Sequence, residues 1–519
     1  MSLFRFFVLI LPLLFPALAL SDDLGRMRLS LIEGDVQVQI QDTSDWTEAT
    51  INLPVNEGDR LWVQDQGKAE LQIQGGVYAR ADDNTSLDVL TITPDSAQFY
   101  LDRGHLYINN RRSGIKTVQV DTPASSLRSY DDSIMMVDVT EDGRVEVSVL
   151  KGYIYAENRS GATRVSAGST LTISSDNSAE LAPLGVPDEW ERWNIERDRR
   201  SNAWSESSRY LPDELHEYNA DFDENGRWEY ANDYGYVWTP TVVVAGWAPY
   251  TVGSWIWFRG SNVWISHDPW GWAPCHYGRW VYISSMGWSW VPPVAGAAYW
   301  GPGYVGWVVT PTYVAWVPLA PGEIYYGYGY YGPGSVNIAT INVNTVVVNK
   351  RTYANARANN GVVVVARDSF GTGRRDPMRV KENPFEVMQR GNAADVSIAP
   401  PQSRPNRPIT FAPDNAGRQT RRQPPREERM RPAASPAQRA VPSLPPERVR
   451  NTKPELLRND RRVVREREGS VFKQQQPENL PVTKRKLPRV IIRRTVPGQQ
   501  QQRQQGTGQQ ERKEKRQER

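Results

Sequence analysis

The chain has 519 residues, of which 39% are hydrophobic, and its mean hydropathy is −0.59. This composition is too polar for one globular protein of that length, so it predicts a folded part joined to a large polar segment. Residues 401–519 carry 30 Lys and Arg against 12 Asp and Glu, and the remaining residues, 1–400, carry 32 against 47. The small net charge of +3 therefore conceals an acidic folded part and a basic tail.

The N-terminus reads MSLFRFFVLILPLLFPALALSDD. Arg5 precedes an apolar run over 6–20, and a small-residue A-x-A pattern lies at 17–19 near its end, which is typical of a secretory signal peptide over 1–20. The alternative is a membrane anchor, but this run is interrupted by two prolines and is shorter than the roughly 20 residues that a bilayer span needs. We expect an exported protein of the periplasm or cell envelope, with no transmembrane span in the mature chain.

Residues 28–175 predict an all-β domain. Short segments with apolar–polar alternation of period two recur along them, and turn residues such as Gly75 and Gly76 separate the segments. This pattern predicts a β-sandwich or a rolled sheet. The predicted strands include DVQVQI (35–40), RLWVQ (60–64), AELQIQ (69–74), HLYINN (105–110), TVQVD (117–121), SIMMVDVT (133–140), RVEVSVLKGYIYAE (144–157) and STLTIS (169–174).

This region resembles the FecR domain, a periplasmic β-module. The resemblance is carried by GDV (34–36), PVNEGDRLWVQDQGKAELQI (54–73), NTSLDV (84–89), VDTPAS (120–125) and VEVSVLKGYI (145–154). In the regulators that name the family, the domain follows a transmembrane helix and a cytoplasmic segment that contacts a sigma factor. A predicted signal peptide stands here in their place. The resemblance therefore implies a β-module that contacts a ligand or a protein on the outer side of the inner membrane.

A linker helix is predicted in the region 186–218. The segment 187–206 places Pro187 at a first-turn position, acidic residues near its N-terminus and arginines toward its C-terminal half. Trp190 and Trp193 lie toward one side of such a helix. We expect this helix to dock on a neighbouring element.

The segment DFDENG (221–226) resembles the start of a calcium-binding loop. Asp221, Asp223, Asn225 and Gly226 have the spacing of such a loop, but Asn232 stands where a bidentate Glu is needed. A surface turn is therefore the favoured interpretation, because short motifs of this kind arise often by chance.

Residues 219–370 predict a second antiparallel β domain, rich in Trp, Gly and Pro. Fourteen of the 19 tryptophans lie between Trp228 and Trp316. Residues 246–255 and 271–280 align without gaps and share six of ten residues, which predicts a repeated strand–turn–strand unit. W-x-P is expected at turns or edges, where proline is tolerated. It occurs at Trp238/Pro240, Trp247/Pro249, Trp272/Pro274, Trp290/Pro292 and Trp316/Pro318.

This block resembles a Trp-rich domain of unknown function that recurs behind FecR-like domains in exported bacterial proteins. The matching segments are YGYVWTP (234–240), WAPYTVGSW (247–255), PWGWAPCHYGRW (269–280), GWSWVP (287–292) and YVGWVV (304–309). The resemblance implies an architecture and no activity. Two further strands, predicted within 335–349 and 361–370, are expected to complete the sheet.

The remainder, 390–519, is a basic segment rich in Pro, Arg and Gln and is predicted to be disordered. Export argues against nucleic acid as its partner. Two alternatives stay open: the tail binds an anionic envelope surface, or it is solvated without a target.

Residues for catalysis or metal binding are scarce. No nucleophile elbow and no phosphate-binding loop occur, and we expect neither an enzyme nor a bound cofactor or metal. His267, Asp268, Cys275 and His276 could gather a metal, but their spacing favours a structural role, with the two histidines bonded inside the aromatic layer or at a turn. Cys275 is the only cysteine, which excludes an intramolecular disulfide and predicts a buried, inert thiol.

A binding role is the better motivated hypothesis, because Trp and Tyr dominate interfaces. We expect half or more of the clustered indoles in the core and the rest on a binding face, with Arg259 and Arg279 stacked on rings. The first hypothesis is a non-catalytic scaffold that binds another envelope protein or a glycan. The alternatives are an accessory of a FecR-type sensing system and a glycan-acting enzyme. The candidate binding residues are Trp247, Tyr250, Trp255, Trp257, Arg259, Trp270, Trp272, His276, Tyr277, Arg279 and Trp280.

Overall fold

The computed structural model describes residues 24–41, 43–110, 115–130, 132–340, 352–372, 378–390 and 396–402. The predicted signal peptide and nearly all of the predicted tail lie outside these ranges. The described residues belong to one compact unit. Among them, no helix has the length and apolar character needed to cross a membrane.

The N-terminal module, which we define as residues 24–183, is built from strands, as predicted. Each strand predicted for it has a counterpart, but the segment predicted as one strand over 144–157 forms two, which are separated at Gly152 with φ of +72°. The strands are β1 (Met27–Glu33), β2 (Val36–Gln39), β3 (Thr47–Glu48), β4 (Arg60–Val63), β5 (Lys68–Ile73), β6 (Val77–Ala81), β7 (Thr85–Ile92), β8 (Ser96–Asn110), β9 (Thr117–Asp121), β10 (Ser126–Tyr130), β11 (Ser133–Val139), β12 (Val145–Lys151), β13 (Tyr153–Asn158), β14 (Gly161–Ser166), β15 (Ser169–Ile173) and β16 (Ala179–Pro183).

Strand β8 joins the two sheets of this module. Its first half pairs with β7 and, in parallel, with β9, whereas its second half pairs with β6 and β11. One sheet has the order β14-β13-β10-β9-β8-β7-β4-β2-β3 and the other the order β16-β15-β12-β11-β8-β6-β5-β1. Apolar residues of both sheets meet in one core, which confirms a sandwich-like all-β fold.

The change of sheet occurs at Gly104. Its φ is +98°, and a Cβ at this position would overlap Thr85 on the adjoining strand. Only glycine satisfies both the left-handed backbone and the close approach. The long strand can therefore leave one sheet and enter the other without a loop.

Gly104→Ala tests this junction. We expect the free energy of unfolding to fall by about 1–3 kcal/mol, because strained backbone and overlap add together. Urea-induced unfolding followed by circular dichroism measures it. Gly185→Ala is the matched control, since a Cβ there meets no atom of the described residues within 4 Å. Equal stability of the two variants would contradict the assigned role of Gly104.

Helix α1 (Glu189–Ser201) follows the N-terminal module. Asp188 is its N-cap and accepts a hydrogen bond from the Glu191 N–H at 2.7 Å. Pro187 therefore precedes the cap and does not lie in the first turn, where the sequence had placed it. Trp190 is buried against Tyr107 and Met136 of the N-terminal module, so the helix docks as expected.

An ionic cluster fixes α1 to the sheet. Glu70 is buried and lies 2.7 Å from Arg80 and 2.6 Å from Arg197 of the helix, while Arg80 also pairs with Asp198 at 2.7 Å. Burial raises the pKa of Glu70, but the hydrogen bonds and charges of the two arginines outweigh it and lower the pKa to about 2. The Glu70 carboxylate thus stays ionised. The other acid of the cluster, Asp198, also accepts a hydrogen bond from the Tyr107 hydroxyl at 2.6 Å.

The aromatic module, which we define as residues 205–402, contains several small sheets. One has the order β17-β18-β22-β21, another is the hairpin β19-β20, a third is β23-β24-β27, and β25 pairs in parallel with β26. The elements are 3-10 helices at Ser207–Arg209, Asp213–Tyr218, Ile338–Thr340 and Ala354–Arg357, helices α2 (Asn219–Asn225), α3 (Trp272–His276) and α4 (Pro384–Gln389), and strands β17 (Gly226–Ala231), β18 (Gly235–Pro240), β19 (Gly253–Phe258), β20 (Ser261–Ser266), β21 (Arg279–Ile283), β22 (Gly287–Val291), β23 (Val305–Val309), β24 (Tyr313–Pro318), β25 (Tyr325–Gly327), β26 (Ser335–Asn337) and β27 (Val363–Ala366).

The predicted 25-residue repeat holds only in part. Both copies lead into a hairpin, β19-β20 or β21-β22, but the first begins in a turn and the second in helix α3. Pro274 therefore lies in a helix, contrary to the expectation of a turn or an edge for W-x-P. The other four motifs lie in a turn or at strand ends.

Two further predictions require correction. The segment 221–226 is largely helical, in α2, where a surface turn was expected. Its acids bind protein groups: Asp221 pairs with Arg28, and Asp223 accepts from the Ser207 N–H. The strand predicted within 335–349 is confined to β26 as far as the structure describes it, because 341–350 lie outside the described residues.

Candidate binding surface

Most of the clustered indoles form the core of the aromatic module. Eleven of the fourteen are buried, which confirms that at least half are structural. Only Trp228, Trp247 and Trp257 are partly exposed. Several buried indole N–H groups donate to backbone carbonyls, for example Trp280 to Pro274 at 2.8 Å and Trp290 to Tyr277 at 2.8 Å. The indoles thus fill the core and also hold the loops around it.

The residues predicted to bind a ligand separate into two groups. Seven are buried with at most 4% of their surface exposed, namely Tyr250, Trp255, Trp270, Trp272, His276, Tyr277 and Trp280. These seven present almost no surface to a ligand. The other four keep some exposure, namely Trp247, Trp257, Arg259 and Arg279.

Both predicted arginines contact rings. The Arg279 guanidinium lies 3.7 Å from the centre of the Tyr304 ring, and that of Arg259 lies 5.7 Å from the centre of Phe258. Arg259 also donates to the Glu57 carbonyl at 2.6 Å. It therefore links the aromatic module to the N-terminal module.

Cys275 and His276 have structural surroundings. His276 stacks on Trp300 with ring centres 5.1 Å apart, and its Nδ1 lies 2.7 Å from the Gly301 carbonyl oxygen. Burial lowers the pKa of His276 to about 4, so its ring is neutral at pH 7. Burial also raises the pKa of the Cys275 thiol well above its ordinary value, so the thiol is not ionised at pH 7.

A different set of rings reaches the surface. We define the aromatic row as Tyr210, Trp228, Tyr230 and Tyr236. Ring centres are 4.9 Å apart for Tyr210 and Trp228, 4.5 Å for Tyr210 and Tyr236, and 5.4 Å for Tyr230 and Tyr236. Tyr230 is 60% exposed and Tyr236 is 48% exposed. The row is thus a continuous set of contacting rings that reaches solvent.

The hairpin β17-β18 builds this row. Its register places Trp228 opposite Trp238 and Tyr230 opposite Tyr236, so the two aromatic pairs share one face. Phe222 of α2 covers the first pair, with its ring centre 5.0 Å from that of Trp238. Phe222 does not cover the second pair. Tyr230 and Tyr236 therefore extend the aromatic face to the solvent-exposed surface.

The buried end of the row is anchored. The Trp228 Nε1–H donates to the Ser207 hydroxyl at 2.9 Å, and the Trp228 ring lies 6.4 Å from that of Trp290 in the core. At the open end, Asp233 is exposed in the hairpin turn, and Arg209 is exposed beside Tyr210. The arrangement offers apolar ring surface with one acidic group in the hairpin turn and one basic group next to Tyr210 in the chain, which suits a ligand that is partly apolar and partly hydroxylated or charged.

Sequence reasoning missed the three tyrosines of the row because it ranked tryptophan density first. A signal was present in the alternation W-x-Y at 228–230 and Y-x-W at 236–238 around the turn residues 232–235. That pattern predicts a hairpin with aromatic pairs on one face. It does not show which pair a neighbouring helix covers.

The two modules meet around Arg28. This residue is 3% exposed and donates to Asp221 at 2.6 Å, to Asn52 at 2.7 Å and to Gln72 at 2.8 Å. Its guanidinium also lies 5.4 Å from the centre of the Tyr218 ring. One arginine of β1 therefore contacts acceptors and a ring from both modules.

Glu217 adds a second junction. Its carboxylate accepts the N–H groups of Gly75 at 2.7 Å and Gly76 at 2.9 Å, in the turn between β5 and β6. Its carbonyl accepts from the Gln72 side chain at 2.9 Å. Burial raises the pKa of Glu217 to about 7, although these N–H groups lower it.

Glu217→Gln tests this junction by its pH dependence. The folded pKa of about 7 lies above the ordinary value of 4.5, so the folded protein binds the proton more tightly. The stability that this group contributes is full below pH 4.5 and is lost as the pH rises through 7. We expect the wild type to lose on the order of 2–3 kcal/mol more than the variant between pH 5 and pH 8, measured by urea unfolding.

The control is Glu214→Gln, an exposed residue nearby whose carboxylate accepts from the Gly296 N–H. It should keep the pH dependence of the wild type. Identical pH profiles for the wild type and Glu217→Gln would show that the carboxylate is not held as described.

Comparison with known proteins agrees with this architecture. A family model described as FecR protein matches residues 59–155, and a family of unknown function, DUF6600, matches residues 219–323. The chain carries a FecR domain followed by a domain of unknown function. Both matches are shorter than the strand-rich regions in which they lie. The strands of the N-terminal module begin at Met27, before the first match, and those of the aromatic module end at Ala366, beyond the second.

No curated protein matches the chain. Among solved structures, two crystal structures of a candidate anti-sigma factor from Parabacteroides distasonis, at 1.65 Å and 2.50 Å resolution, are similar to it at 16% identity and a TM-score of 0.22. The matched region covers 24% of this chain and 59% of that chain. A similarity of this size supports no conclusion about function.

Proposed function

We propose that this FecR-domain protein is a non-catalytic binding protein of the cell envelope, and that its aromatic row binds a glycan. The observation that carries the proposal is the exposed pair Tyr230 and Tyr236, which continues a row of contacting rings from the core. A pyranose ring has a C–H face that packs on aromatic rings and hydroxyls that bond polar groups at their edges. The envelope location rests on the predicted signal peptide and the FecR domain.

The surroundings of the histidines support a role without catalysis. His276 is enclosed and neutral, the Nε2 of His216 lies 3.1 Å from the Leu211 carbonyl oxygen, and His105 pairs with Asp138 on the surface. Each of these three histidines thus has a hydrogen-bond partner within the protein.

A second candidate function is an accessory of a FecR-type regulatory system. The matched FecR domain favours it. The contacts of Arg28 and Glu217 would hold that domain in a fixed orientation to the aromatic row. A ligand bound to the row would therefore place the FecR domain next to that ligand, where a regulatory partner could contact it.

Tyr230→Ala combined with Tyr236→Ala tests glycan binding. The probe is co-sedimentation of the full chain with insoluble cell-wall polysaccharide. We expect binding to weaken by about tenfold, because two ring contacts of about 0.5–1.5 kcal/mol each are lost. Circular dichroism should remain unchanged, since both side chains are largely exposed.

The matched control is Tyr330→Ala, an equally exposed tyrosine outside the row, at 63%. It should bind like the wild type. If neither the wild type nor the variants sediment with the polymer, the glycan proposal is wrong. Crosslinking of the row to a protein in cells would then favour the regulatory alternative.

A further inference from the structure

The segment 396–402, here called the strap, lies on the edge of the sheet β23-β24-β27. The Val309 N–H donates to the Ser397 carbonyl at 2.8 Å, and the Ser397 N–H donates to the Val309 carbonyl at 2.9 Å. Ile398 is buried, and so are Pro400 and Pro401. The predicted disorder from residue 390 is therefore wrong for these seven residues, which add a short extended segment to the edge strand β23.

Two side chains bind the proline end of the strap. The Tyr328 hydroxyl donates to the Pro400 carbonyl at 2.9 Å, and the Asn262 side-chain N–H donates to the Pro401 carbonyl at 2.6 Å. Both contacts recognise the backbone and not the identity of the side chain. Ile398 is the strap side chain that lies in the core, and the partly buried Val396 and Ala399 pack against that core. We call the surface formed by Val309, Tyr328 and Asn262 the groove. A different chain with an apolar residue and the same extended backbone could make the same contacts with it.

Asn262 has a second polar atom that the strap does not use. The residue is 4% exposed, and within the part of the chain that the structure describes, no donor reaches its Oδ1. A carboxamide has an acceptor oxygen beside its N–H donors, so a residue in an extended segment whose carbonyl accepts from the carboxamide can donate its own N–H to that oxygen. Pro401 has no N–H to give. The strap therefore leaves a buried acceptor unsatisfied, which weakens its own binding.

We propose that this groove is a peptide-binding site, that the strap occupies it as an internal ligand, and that an extended segment of a partner protein replaces the strap. The partner segment carries a branched apolar residue where the strap has Ile398, proline at the position of Pro400, and a residue with an N–H at the position of Pro401. Binding would follow the strand-addition mode, in which edge hydrogen bonds supply affinity and pockets supply specificity. The proposal does not depend on the aromatic row.

The first experiment releases the strap. Ile398→Asp in the full chain places a charge in the apolar pocket while leaving the groove intact. Binding of a fluorescent peptide with the sequence of 396–402 is measured by fluorescence polarisation. We expect the peptide to bind this variant, and to bind the wild type at least tenfold more weakly because the strap occupies the groove. Val294→Asp is the control, because it places the same charge at an exposed apolar residue outside the strap, and it should behave as the wild type.

Folding is checked by tryptophan emission and circular dichroism. If Ile398→Asp unfolds the module, the milder Ile398→Ala replaces it, with a smaller gain in peptide binding expected. A folded strap variant that binds the peptide no better than the wild type would overturn the proposal.

The second experiment tests the unsatisfied Oδ1 of Asn262. Two peptides are compared on the released variant, one with alanine and one with N-methylalanine at position 401. They differ in the backbone N–H, and we expect alanine to bind about fivefold more tightly, as for one hydrogen bond. Asn262→Ala should abolish that preference. Equal affinities on the variant that retains Asn262 would show that its carboxamide does not select the partner.

Discussion

The buried guanidinium of Arg28 is the interaction on which the arrangement of the two modules depends. A buried arginine is stable only when its N–H groups find acceptors, and removing one partner leaves a charge without compensation. Here the acceptors come from both modules. Asp221 lies in α2, and the next residue, Phe222, covers Trp238 and leaves Tyr230 and Tyr236 in solvent. The same contact thus joins the modules and helps to define the exposed surface.

The tryptophans have a different role from the one their density suggests. An indole buries a large apolar surface, about 150–250 Å², and carries one N–H that usually finds an acceptor when it is buried. Several of these acceptors are backbone carbonyls of short helices and turns, such as that of Phe222 in α2, which accepts from Trp238 at 3.0 Å, and that of Tyr250, which accepts from Trp316 at 3.1 Å. Short strands and long loops are therefore held by the residues that form the core, and no disulfide is needed.

The strands of the N-terminal module could be predicted because period-two alternation reflects a sheet with one buried face. The crossing of β8 from one sheet to the other could not be predicted. It depends on the close approach of Gly104 to Thr85, and the sequence does not show that these two residues are neighbours. The aromatic module was harder. Residues 246–249 and 271–274 both read GWAP, but the first segment leads into a turn and the second into helix α3. The difference comes from the residues around them. The strap lay inside a polar segment, and its few apolar residues were outweighed by the composition around them.

Native-state hydrogen exchange tests most directly whether the contacts of Arg28 join the two modules, so that they lose stability together. The amides to follow are those of Val147, in the core of the N-terminal module, and Val308, in the core of the aromatic module. With Arg28→Met we expect both amides to lose protection by the same amount, about 3 kcal/mol, because the ion pair of Arg28 with the partly buried Asp221 and its hydrogen bonds to Asn52 and Gln72 are lost together at the shared junction. Loss of protection at Val147 alone, with Val308 unchanged, would contradict the claim.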